Sequence, residues 1–215
     1  MRDIEGLGSN TPTVRTAISD TDFLYADLAT LVVPGRECGT CTLCCKLIAV
    51  TELHKPRSTM CVHCIPEGGC GIHETRPHSC RGYFCNWLLL DGLGPEWKPE
   101  QCKFVLQSVG YSDGTQCLAV NVDPDFPDCW RVSPFYERIK RWAVKAADQV
   151  SGGIHYVIVL IDQQKIVILP DREIDLGVFT DDDQISIDRK ISFKGVEFSF
   201  RKVSKNETGV ECIFV

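Results

Sequence analysis

The stretch Cys38-Gly39-Thr40-Cys41-Thr42-Leu43-Cys44-Cys45 sets four sulfur donors within eight residues, and Cys61, Cys64, Cys70, Cys80 and Cys85 follow it. Nine of the chain's thirteen cysteines therefore fall between Cys38 and Cys85. Thiolates are soft donors for zinc, copper(I) and iron–sulfur clusters. A Cys-x-x-Cys pair in a tight turn presents two sulfurs to one metal. Residues 36–85 are rich in Gly, Pro and His and show little apolar periodicity, so a metal is expected to organise this module.

The donors form two blocks. The first is Cys38, Cys41, Cys44 and Cys45; the second is Cys61, Cys64, Cys70, Cys80 and Cys85, interleaved with His63, His73 and His78. The metal candidates are Cys38, Cys41, Cys44, Cys45, Cys61, Cys64, Cys70 and Cys80. Their number permits two four-sulfur sites without requiring two. On extended backbone the side chains of Cys44 and Cys45 diverge, which leaves one of them to serve a second site or to pack. His63 and His73 are second-rank donors beside so much sulfur. Arg81, next to Cys80, is the candidate cofactor contact, placed to donate to a cluster sulfur. Arg76 reads as a loop residue that bonds backbone carbonyls or pairs with Glu74. Cys102, Cys117, Cys129 and Cys212 lie in strand or turn contexts and read as apolar packing residues.

Outside the module the chain is that of an ordinary globular protein, 44% hydrophobic and 24% charged. No apolar run approaches the roughly 20 residues that span a bilayer. Met1 to Asp22 lacks a basic region followed by an apolar core, so no secretory signal is read and the expected compartment is the cytoplasm. Disulfides are rare there, which favours metal ligation over cross-linking. The formal net charge of −6 gives no positive field for nucleic acid. The expected partners are thus a metal ion or cluster and, in one reading, a protein; neither nucleic acid nor membrane is expected.

The expected fold class is α+β. An irregular cysteine-rich module with short helices packs on, or is followed by, a helix and an antiparallel β-rich C-terminal part. The segments are 1–35 as a flexible N-terminal stretch, 36–132 as the metal-binding module with short strands, and 133–215 as the helix and β-rich region. Phe23 to Val33 is an apolar helix or strand ended by Pro34-Gly35. Arg81 to Leu90 reads as one short helix. Lys103 to Val109 and Cys117 to Val122 alternate apolar with polar and read as strands. Phe135 to Val150 is an amphipathic helix with Ile139, Trp142, Ala143 and Ala146 on one face. Ile154 to Ile161 and Lys165 to Leu169 are β-prone. Gln184 to Phe193 and Val196 to Val203 flank Lys194-Gly195 as a hairpin. Gly209 to Val215 reads as a last strand.

The first block resembles, letter for letter, the pattern of the CxxCxxCC family of zinc- or iron-chelating proteins. Gly69-Cys70-Gly71-Ile72-His73-Glu74-Thr75-Arg76-Pro77-His78-Ser79-Cys80-Arg81 is similar to that family's second stretch of Cys, an acidic residue, Arg-Pro and Cys-Arg. The resemblance covers residues 36–88 and implies Cys41, Cys44, Cys45, Cys70 and Cys80 as the core ligand set, with Cys61 beside them. The family includes flagellin lysine methylases taken to use an iron–sulfur cluster. This chain has no glycine-rich strand–turn–helix signature for a methyl-donor nucleotide, so that activity is not carried over.

The functional expectation is a protein with a cysteine-thiolate centre, an iron–sulfur cluster (4Fe-4S in type) or zinc, in an electron-transfer or structural role. Two other classes compete. A thiol oxidoreductase would use Cys38 and Cys41, though no βαβ pattern surrounds them. A zinc-stabilised interaction module would use the β-rich tail. No nucleophile–base pair, phosphate loop or carboxylate pair is legible, so no catalytic residue is assigned.

Overall fold

A computed structural model describes residues 30–111, 114–147, 153–192 and 195–204. The readings of residues 1–22, of Phe23 to Ala29, of Cys212 and of the last strand lie outside these residues. The chain is α+β. Five strands form one sheet in the order β3-β4-β5-β6-β7: β3 (Phe104–Gly110), β4 (Gln116–Val122), β5 (Tyr156–Ile161), β6 (Gln164–Ile168) and β7 (Glu173–Val178). β4 is buried along six of its seven residues, as expected for a strand covered on both faces. All neighbours in the sheet are antiparallel except β4 and β5, which run parallel with Val120 opposite Val159. A parallel pair cannot be joined by a hairpin. The crossover is α5 (Phe135–Ala147), close to the expected helix. The sheet is thus continuous across residue 132.

Alternation along the strands separates two buried faces. On one, Phe104, Leu106, Leu118, Val120, Val157, Val159 and Ile168 pack with Ile139 and Ala143 of α5 and with Trp97, Trp130 and Phe135. Trp97, Phe104 and Phe135 meet edge to face, with centroids 4.9–5.8 Å apart. On the other face, Cys117, Ala119, Tyr156, Ile158 and Val167 are covered by Ile185, Ile187 and Phe200. These come from the hairpin of β8 (Asp183–Ser192) and β9 (Gly195–Ser204), which matches the reading around Lys194-Gly195.

The cysteine module covers the rest of that second face. Val105 of β3 packs with Leu43, Leu47, Cys85 and Leu88. Leu43 and Leu47 belong to α1 (Leu43–Leu47), and Leu88 to α3 (Asn86–Leu89). Three polar ties fix the contact. Arg57 donates to Asn121 Oδ1 at 2.6 Å. Lys46 Nζ meets Asp123 Oδ1 and Asp125 Oδ2, each at 2.6 Å, at the end of β4. Asn86 donates to Ser108 Oγ at 3.1 Å. Arg36 closes the module's entrance by donating to the carbonyls of Trp87, Leu90 and Leu93 with its guanidinium over the Trp87 ring.

The expected helix from Arg81 to Leu90 is two shorter ones. α2 (His78–Arg81) ends at Gly82, and α3 begins after Cys85. The break buries Cys85 and leaves Arg81 exposed. α4 (Pro99–Cys102) leads into β3 with Lys103 in a left-handed conformation at its C-terminus.

Candidate metal centre

The module's backbone draws the two cysteine blocks together. Cys41 N–H donates to the Cys38 carbonyl at 2.9 Å, closing the first Cys-x-x-Cys turn. In the second block Cys64 N–H donates to the Cys61 carbonyl at 3.0 Å. The blocks are linked by Cys61 N–H donating to the Cys45 carbonyl at 3.1 Å. The loops also approach backbone to backbone. Gly69 has φ +81, and a Cβ on it would lie 3.1 Å from the Gly39 carbonyl. Glycine supplies both the left-handed conformation and the clearance.

Cys64 ends the turn and opens β1 (Cys64–Ile65); Cys70 closes β2 (Gly69–Cys70). The two are directly opposite in that antiparallel pair, so their side chains share a face. Cys80 sits in α2, whose start is held by Glu52. Glu52 Oε1 accepts from Ser79 N–H at 3.0 Å, and Oε2 from the Ser79 hydroxyl at 2.6 Å. Cys44 and Cys45 lie side by side in α1. The buried Lys55 donates to the carbonyls of Lys46, Ile48 and Pro56 and so satisfies the free end of that helix.

The thiols are electrostatically coupled. A hydrogen bond from Cys44 pulls the Cys45 thiol down to about 7, helped by Lys55 and Arg76. The same bond, with burial, holds Cys44 well above the ordinary thiol range. Partial burial raises Cys80, and Cys45, Cys61 and Cys70 add to it through their charge. Burial likewise lifts Cys64, with the same three cysteines adding charge. Cys38 is raised by the protein around it and by Cys41, and Arg76 opposes the rise.

All eight sequence-predicted cysteines thus fall in one region, half-buried apart from the exposed Cys38. Among the described residues, no three Cys, His, Asp or Glu side chains converge closely enough to hold a metal ion. What the fold assembles is a set of neighbouring free thiols on hydrogen-bonded loops.

No family model, curated protein or solved structure matches the chain.

Arg81, the expected cofactor contact, is exposed. Arg76, not Arg81, is the arginine whose charge reaches the cysteines. Its Nε is buried and has no hydrogen-bond acceptor, and its charge acts on Cys38 and Cys45. Glu74, one of the two kinds of partner read for Arg76, has its Oε1 3.3 Å from His73 Nδ1. The Arg-Pro step before Cys80 was the signal for Arg76, read there as a turn. Cys85 was grouped with the second block by sequence order, but it packs in the apolar cluster on which Cys41 also rests.

Cys102 and Cys117 are buried as expected of packing residues. Cys102 Sγ lies 3.2 Å from the Phe104 carbonyl, and burial pushes its thiol up to about 12. Cys117 is lifted to about 11 for the same reason. Cys129, half-buried, donates to the Lys103 carbonyl at 3.5 Å. Neutral thiols of this kind are poor ligands.

Proposed function

We propose that the chain is a metal–thiolate protein whose cysteine module holds an iron–sulfur cluster, in an electron-transfer or structural role, and that it works in the reducing cytoplasm. The observation that carries this reading is the buried Arg76 Nε–H, a donor without an acceptor among the described residues, on a cation whose charge acts on Cys38 and Cys45. A buried unpaired donor costs about 1–3 kcal/mol. An anionic centre held by the neighbouring thiolates would accept it. The donor chemistry fits: free thiols on two linked loops, with Lys55 and Arg76 as cations beside them. Closing the site requires the sulfurs to turn inward from their present positions.

Cys41, Cys44, Cys45, Cys61, Cys70 and Cys80 would hold the group, as the CxxCxxCC resemblance implies, with Cys38 and Cys64 beside them. A bound cluster would supply one-electron redox chemistry. The protein's own part is to keep the thiolates apart from bulk water, to donate from Arg76, and to fix Cys80 through Glu52 and Ser79. Described residues include no helix long and apolar enough to cross a membrane.

A second reading has its own support. Met60, Val62 and Ile65 are exposed around the second Cys-x-x-Cys turn, Val62 at 89%. A zinc-stabilised interaction module would present such a surface.

The test is elemental analysis of anaerobically purified protein and of Cys41→Ser and Cys70→Ser. Iron bound by the wild type and lost in both variants supports the proposal. Equal iron in all three removes the thiolates as its ligands.

A further inference from the structure

Among the described residues, the ladder of β1 and β2 is the one place where two cysteines stand directly opposite on paired strands. Cys64 faces Cys70, and Ile65 faces Gly69. The backbone fixes which kind of pair this is. Gly71 N–H donates to the His63 carbonyl at 2.8 Å, one step outside the ladder. Hydrogen-bonded and non-hydrogen-bonded pairs alternate along antiparallel strands, so Cys64 and Cys70 form a non-hydrogen-bonded pair. Such residues have Cα atoms about 4.5 Å apart and side chains on one face. A disulfide spans roughly 4.4–6.8 Å between Cα atoms, so these two can be bridged without moving the backbone.

The hairpin around the pair is tightly built. A Cβ on Gly71 would lie 3.1 Å from the His63 carbonyl, and Glu67 and Gly69 turn the chain at φ +57 and +81. Only five residues separate Cys64 from Cys70, so little loop entropy opposes their meeting even when the surrounding loop loosens. Both thiols are free and half-buried, and Val62 and Ile65 beside them are exposed, which puts the pair within reach of small solutes. Cys102 and Cys117 have neither feature: they are buried, and neither has a cysteine opposite.

We infer that Cys64 and Cys70 are a redox modification site that closes to a reversible cross-strand disulfide on exposure to a low-molecular-weight disulfide such as oxidised glutathione, and that closure withdraws Cys70 from metal binding. One thiolate of the pair attacks the small disulfide, forming a mixed disulfide and expelling one small thiolate. The other cysteine, its proton lost to solvent, attacks the protein sulfur of that mixed disulfide and expels the second. Two protein thiols are oxidised by two electrons, and the small disulfide is reduced to two thiols. The bond itself follows from the register alone. Its effect on metal rests on the metal–thiolate reading above, in which Cys70 is a ligand and Cys64 lies beside the set.

The experiment incubates the reduced, metal-free full chain in graded mixtures of reduced and oxidised glutathione. Free thiols are then blocked, and the chain is digested with trypsin and a glutamyl endopeptidase for mass spectrometry. Cuts after Arg57, Glu67 and Glu74 leave Cys61 and Cys64 in the peptide 58–67 and Cys70 in 68–74. A cross-link between these peptides is expected at the lowest proportion of oxidised glutathione that forms any disulfide. It should persist in Cys61→Ala and vanish in Cys64→Ala. A cross-link that survives in Cys64→Ala, an earlier bond between Cys61 and Cys64 or between Cys38 and Cys41, or glutathione adducts with no cross-link would each overturn the pairing. Cobalt(II) uptake by the same samples, read by its charge-transfer absorption, should be lost in the cross-linked wild type, restored by dithiothreitol, and kept in Cys64→Ala taken through the same mixture. Full uptake by cross-linked protein would overturn the withdrawal of Cys70. Reduced wild type that takes no cobalt would sink the metal–thiolate reading and the withdrawal with it, while the cross-link is judged by the peptides alone.

Discussion

The Cys61 amide donates to the Cys45 carbonyl at 3.1 Å, and this bond joins two cysteine blocks that lie sixteen residues apart in the chain. It gives the module a fixed backbone before any metal arrives. It does not give the loop a core: residues 57–71 contribute nothing to the buried clusters, whereas α1 and α3 are anchored on Val105. Metal removal is therefore expected to loosen the loop and spare the sheet. Limited trypsin digestion should cut the chelator-treated, reduced protein after Arg57 much faster than the loaded form. The fragment beyond Phe104 should stay intact. Equal cleavage of both forms would show that the loop is self-supporting.

Glu52 and Ser79 offer a handle on the position of Cys80. The two hydrogen bonds from Ser79 hold the Glu52 carboxyl below its usual 4.5. A carboxylate lowered on folding stabilises the native state above its ordinary range, and that contribution is lost as pH falls through the folded value. The pair is exposed, so the stabilisation stays below about 1 kcal/mol. Ser79→Ala should lower thermal stability slightly at pH 7 and by much less at pH 3. A deficit that persists unchanged at pH 3 would mean the carboxylate plays no part.

Much of this architecture was legible in the sequence, and the failures have physical reasons. β3, β4, β5, β6 and the β8–β9 hairpin follow from apolar alternation and turn residues, and α5 from its apolar stripe. β7 escaped because Glu173, Asp175 and Gly177 dilute its pattern and a bulge interrupts its register with β6. The parallel pairing of β4 with β5 is a tertiary choice that periodicity does not encode. Spacing placed the cysteines in one region, but it could not tell Cys85 from its chain neighbours. That assignment depends on Gly82, where α2 stops and the chain turns to bury Cys85. Arg81 is adjacent to Cys80 and Arg76 four residues before it, and only the fold shows that the more distant of the two has its donor buried.

The cysteines should divide by environment. Cys102→Ala removes a fully buried sulfur packed with Trp97 and Phe104 and should cost about 1–2 kcal/mol of stability without changing metal content. Chemical denaturation and elemental analysis on the same sample check both halves. Metal loss in Cys102→Ala would place that thiol in the centre.

Arg76 should tune the centre more than it supports the fold. In Arg76→Gln the cationic donor is lost, which disfavours the more negative, reduced state. The midpoint potential should fall, by an amount corresponding to about 1.5 kcal/mol for a hydrogen bond to a charged acceptor. Arg81→Gln should leave the potential where it is. If Arg81 moved it and Arg76 did not, the assignment of the buried donor would be reversed.

The most direct test of the account is acid-labile sulfide in protein purified without oxygen, read beside its visible spectrum. The account predicts brown protein with iron and sulfide in comparable amounts, bleached by dithionite. Colourless protein that carries zinc and no sulfide, even after anaerobic reconstitution with iron and sulfide, would contradict the iron–sulfur centre.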